Sequence, residues 1–110
     1  MARKIPSITE RLSRYLDSQS QWRFEEARDH PADNRSARSA QKLAEFAFYV
    51  ADLPADDPRL VRLRLMQDPY DENVFVTSGD VSRFVARIGF DTDTYEKSPD
   101  VLLDILVEIV

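Results

Sequence analysis

Leu43-Ala-Glu-Phe-Ala-Phe-Tyr-Val-Ala-Asp-Leu53 decides the fold: nine of its eleven residues are apolar, and only Glu45 and Asp52 interrupt them. A surface helix normally carries one apolar stripe, whereas a helix that is apolar on nearly every side packs among others. This stretch is therefore expected to be the central helix of a small helical domain. The pattern extends backwards through Ala37 and Ala40, which join Leu43, Ala44, Ala47, Val50 and Ala51 at helical spacing. Phe46, Phe48, Tyr49 and Leu53 widen the apolar surface on the other side. The spacing predicts a helix from about Arg35 to Leu53, capped by Asp33, Asn34 or Ser36 and stopped by Pro54.

Upstream, Ser7-Ile-Thr-Glu10 has the pattern of a capping box, and Ile5, Ile8, Leu12, Tyr15 and Leu16 recur on one helical face. Either one helix runs from Ser7 to about Asp29, or two helices meet at a kink near Gln19. His30-Pro31 ends the segment, because a residue before proline avoids helical torsions. Downstream, Asp57-Pro58 supplies a cap and a first-position proline for a helix through Leu60–Met66. Val61-Arg-Leu-Arg-Leu65 also alternates, so the alternative is a short β-hairpin through residues 61–76 that pairs it with Val74–Val76. A further helix spans Asp80–Ile88, buries Val81, Phe84, Val85 and Ile88, and stops at Gly89. Phe90–Lys97 reads as a polar connector. Ser98-Pro99-Asp100 opens a terminal helix, Pro99–Val110, that is apolar except for Asp104 and Glu108.

These elements give an all-α fold: one domain, residues 1–110, built as a compact bundle of four to five helices around the central one. The 110 residues suit a single core. Glycine occurs only at Gly79 and Gly89, too rarely for a sheet built on tight hairpins. The absence of cysteine excludes disulfides, thiol catalysis and thiolate metal sites. No signal-peptide pattern opens the sequence, and no apolar run approaches the roughly 20 residues of a membrane span. A soluble cytoplasmic protein with no membrane association is expected. Arginine outnumbers lysine twelve to three, a bias that fits a GC-rich bacterial genome. The net charge of −5 divides into +1 for residues 1–55 (nine basic, eight acidic) and −6 for residues 56–110 (six basic, twelve acidic). An acidic half repels phosphate backbones and disfavours nucleic acid as a partner.

Candidate sites are few. His30 is the sole histidine and has no second ligand near it in sequence. Asp68, Asp71, Glu72, Asp80, Asp91 and Asp93 are oxygen donors, but their spacing does not make a calcium loop. Glu45 is the candidate buried carboxylate; with Trp22, Phe46, Phe48 and Tyr49 it defines one alternative function, a small ligand binder or enzyme. Arg59, Arg62 and Arg64 are candidates for holding an anion or an acidic partner. Asp80–Phe90 resembles the first helix and turn of a helix-turn-helix unit. That gives a second alternative, a DNA-associated regulator through residues 80–104, although Pro99 breaks the expected recognition helix.

No cofactor or catalytic motif is present, and a non-enzymatic interaction or regulatory protein is the leading expectation. Its partner is another protein or a second copy of the chain. The terminal helix, through Leu102, Ile105, Leu106 and Ile109, is the expected contact, because the central and terminal helices together carry more apolar surface than one small core absorbs.

Overall fold

The computed structural model describes residues 8–32, 34–54, 56–63, 79–90 and 92–109. They form six helices and no strand: α1 (Ile8–Asp29), α2 (Asn34–Ala51), α3 (Pro58–Leu63), α4 (Gly79–Arg87), α5 (Thr92–Glu96) and α6 (Pro99–Ile109). The number exceeds the expected four to five because α5 lies where a connector was expected. The described residues are all helix and connection, in keeping with the all-α reading from composition and periodicity. Residues 61–63 are helical, against a hairpin strand beginning at Val61; its partner, Val74–Val76, lies outside the described residues.

α1 is one helix without a break at Gln19. The His30 N–H donates to the Glu26 carbonyl at 2.9 Å, closing the last turn before Pro31. α2 then runs back antiparallel along α1, the most extensive pairing among the described helices. Ile8, Leu12 and Leu16 of α1 meet Leu43, Phe46 and Val50 of α2 in one core with Leu60, Leu63, Val81, Val85, Ile88, Leu102, Leu103 and Leu106. A small residue lets the pair approach closely: the Ser20 hydroxyl, fully buried, donates to the Ala40 carbonyl at 2.7 Å.

The starts of the later helices follow their expected local chemistry. Asp57 caps α3, its Oδ1 accepting from the Arg59 N–H at 2.9 Å, with Pro58 in the first position. Ser98 stands before Pro99 of α6, where its hydroxyl accepts from the Val101 N–H at 3.4 Å. α4 ends in a turn that presses on α2. The Ser39 hydroxyl donates to the Ile88 carbonyl at 2.6 Å, and Gly89 follows at a φ of +79°.

α2 corrects the reading of Leu43–Leu53 as apolar on nearly every side and packed among other helices. Ser39, Ala40, Leu43, Phe46, Ala47 and Val50 are buried, whereas Ala37, Gln41, Glu45, Phe48, Ala51 and Asp52 are exposed. The helix therefore has one core face and one solvent face, and part of its apolar surplus lies outside the core.

A methyl group on Gly89 would stand 2.5 Å from the Ser39 Cα and 3.0 Å from the Arg38 carbonyl oxygen. Left-handed torsions cost an L-residue about 1–2 kcal/mol before that overlap is counted. Gly89→Ala is thus expected to destabilise the protein by more than about 2 kcal/mol in urea unfolding. At Gly79, the nearest atom to an added Cβ is the tip of Arg83, at 3.8 Å. Gly79→Ala is expected to be neutral or slightly stabilising in the same measurement.

Candidate functional site

Of the expected cationic group, Arg59 forms a structural clasp. Arg59 reaches from α3 to α6 and to α2. Its Nη1 lies 2.8 Å from Asp100 Oδ1 and 3.1 Å from Asp104 Oδ1, its Nε 3.3 Å from Asp57 Oδ1, and its Nη2 donates to the Tyr49 hydroxyl at 3.0 Å. Tyr49 in turn donates to Asp100 at 2.6 Å. Three carboxylates and a phenol of the same chain thus occupy the guanidinium that was expected to hold an anion or an acidic partner. Arg62 is exposed on α3, and Arg64 lies outside the described residues.

The clasp shifts its members as its geometry dictates. Its hydrogen bond to Asp100, then the one to Tyr49, hold the Arg59 guanidinium above its ordinary value, against burial. Donation to Asp100 raises the Tyr49 hydroxyl. Asp100 is held low by the bonds from Tyr49 and then Arg59. At Asp57 burial acts upward, but the Arg59 side chain and backbone N–H, the Arg59 charge and the Leu60 N–H together outweigh it and leave the carboxyl low.

The terminal helix is not the free contact expected of it. Leu102 and Leu106 have no exposed surface and belong to the core; Ile105 and Ile109 are half-buried against it. Clasped by Arg59, α6 turns its apolar face inward. Ile105 and Ile109 also line a shallow groove with Asp80, Arg83, Phe84 and Arg87.

Glu45 is exposed, which corrects its assignment as a buried carboxylate. Half of its side-chain surface is open, with Lys42 Nζ 3.9 Å away. The aromatics named with it do not converge around it. Phe46 is buried in the core, Phe48 is open to solvent, Tyr49 belongs to the clasp, and Trp22 stacks with Arg23 on α1.

The described part of residues 80–104 holds α4, α5 and the start of α6, and α5 is a single turn bearing Asp93 and Glu96. Its place is fixed by Thr94, whose hydroxyl donates to the Arg87 carbonyl at 2.9 Å and accepts from the Gly89 N–H at 3.1 Å. Arg23 packs over Phe90 at 4.2 Å and donates to the Ala86 carbonyl at 3.2 Å, fastening this turn to α1. His30 borders an open depression with Asp29, Pro31, Ala32, Asn34 and Arg35. Among the described residues no group of three or more His, Asp or Glu side chains is placed to hold a metal ion. Asp68, Asp71, Glu72 and Asp91 lie outside them. No described helix is long and apolar enough to cross a membrane.

Among the described residues the most open large apolar side chain is Phe48, 79% exposed. It stands beside a groove between α1 and α2 lined by Ser13, Arg14, Asp17, Ala44, Ala47 and Ala51. The sequence expectations place Phe48 around a Glu45 ligand site and give it no part in a protein contact. Its signal is nonetheless present in Ala37, Gln41, Ala44, Phe48 and Ala51, whose steps of four and three repeat the spacing of a helix-packing seam.

Replacing Arg59 with Met removes its ties to three carboxylates, two of them open to water, and is expected to lower stability at neutral pH by about 1 kcal/mol or less. The folded carboxyls of Asp57 and Asp100 titrate below their unfolded value of about 3.9. Their contribution is therefore complete above that value and is lost as the pH falls through it towards the folded values. Urea unfolding below about pH 4 should show a shallower loss of stability for Arg59→Met than for the unaltered chain. No family model, curated protein or solved structure matches the chain.

Proposed function

We propose that the protein is a non-enzymatic protein-interaction module whose contact face is the outer surface of the α1–α2 hairpin. The observation that carries this reading is the exposed Phe48 phenyl. It does not stand alone: Ala44 and Ala51 flank it on the same face, and the groove beside it runs to Ser13, Arg14 and Asp17 of α1. Covering such a ring returns about 1.5–3 kcal/mol of hydrophobic free energy, and small neighbours let another helix come close enough to do so. Arg14 and Asp17 give the rim charges that orient a partner without a buried, unpaired ion.

The alternatives draw less support from the same geometry. A reader of DNA through residues 80–104 needs an exposed basic recognition helix, and α5 is short and acidic. A catalytic or ligand site at Glu45 needs a pocket around that carboxylate, and Glu45 is open with its named aromatics pointing elsewhere.

Phe48→Ser removes an exposed ring, so its unfolding free energy is expected to stay within about 0.5 kcal/mol of the unaltered chain. A photo-crosslinking phenylalanine analogue at position 48 is expected to capture a protein in native cells. The same group at exposed Glu25 on α1 serves as the control. Equal labelling at both positions, or none at position 48, would refute the reading.

A further inference from the structure

The geometry points to a second copy of this chain as the occupant of the Phe48 face, bound about a two-fold axis that crosses α1 and α2 at right angles. The inference rests on that face being the contact surface and names what covers it. A two-fold interface must be self-complementary, since each feature meets the same surface reversed. This face carries both halves of such a fit. Phe48 projects from it, and Ala44, one turn away, leaves room beside the groove. Arg14 and Asp17 line the same groove from α1, one turn apart and opposite in charge.

The two relationships call for one axis. Ser20 lies level with Ala40, and the helices run antiparallel, so each step forward on α1 is a step back on α2. The midpoint between Arg14 and Asp17 on α1 then lies level with residues 44–45 of α2. The midpoint between Ala44 and Phe48 is residue 46, within about two residues, or roughly 3 Å along the helix. A single axis at that level stacks α2 antiparallel on α2 of the copy and sets each Phe48 against Ala44 of the second copy. It also sets each Arg14 opposite Asp17 of the second copy, giving two symmetric ion pairs. The seam of 37, 41, 44, 48 and 51 has the spacing such helix pairs use. The same axis draws the two Glu45 side chains together at the outer edge, each beside its own Lys42 at 3.9 Å, where water and salt screen them.

The test is sedimentation equilibrium of the purified full chain from about 1 μM to 1 mM, a range spanning weak to moderate association. The unaltered chain is expected to pass from monomer to dimer. Phe48→Glu is expected to remain monomeric with unchanged helicity by circular dichroism. Arg14→Asp makes the rim wholly acidic and Asp17→Arg makes it wholly basic. Each alone should weaken the dimer about tenfold, and an equimolar mixture should recover the unaltered affinity as a heterodimer. A chain that stays monomeric throughout overturns the inference. So does a dimer that Phe48→Glu leaves intact, or a mixture that forms no heterodimer. Crosslinking at position 48 to a different protein, with the pure chain monomeric, overturns the second copy as occupant and leaves the interaction reading standing. Absence of capture at position 48 overturns both.

Discussion

Everything else in the structure depends on the antiparallel contact between α1 and α2. These are the two longest of the described helices, and Leu12 and Leu16 share a core with Leu43 and Phe46 across a seam that Ser20 and Ala40 keep narrow. Neither helix buries its apolar stripe alone, and most helical stability in a protein comes from packing such a face. Once paired, they present a trough that receives short elements with little stability of their own. α3 has six residues, α4 nine and α5 five. Each stays helical because tertiary contacts hold it: Arg59 clasps α3, Ser39 and Gly89 seat the end of α4, and Thr94 bridges α5 back to α4.

The features legible in the sequence are those with local causes. Asp57-Pro58 and Ser98-Pro99 mark helix starts because capping acts within three residues. Gly89 marks a stop because left-handed torsions exclude most side chains. The all-α character follows from periodicity and scarce glycine. α5 is not legible, because nothing in Thr92-Asp-Thr-Tyr-Glu96 favours a helix; Thr94 makes it one by bonding to residues five and seven positions earlier.

The site was less legible than the fold for a related reason. Whether Arg59 is a free cation depends on Asp100 and Asp104, 41 and 45 residues away. Glu45 and Asp52 sit amid apolar residues in sequence, yet seven residues is nearly two helical turns, so both fall on one solvent edge. Counting apolar residues shows that a surplus exists without showing which helix leaves its share uncovered.

The clasp decides that question. Arg59, Tyr49 and the two aspartates of α6 hold the solvent side of that helix against α3 and α2. With one side fixed by ion pairs, the opposite side, bearing Leu102, Leu103 and Leu106, must face Phe46 and Leu60 in the core. α6 then covers the inner side of α2, opposite Phe48. Among the described residues the outer side of α2 receives the edge of α1, and Ser13, Arg14 and Asp17 there leave the phenyl ring open. The polar contact that secures the terminal helix inward is thus the physical reason that, among the described residues of α2, the uncovered apolar surface lies at Phe48.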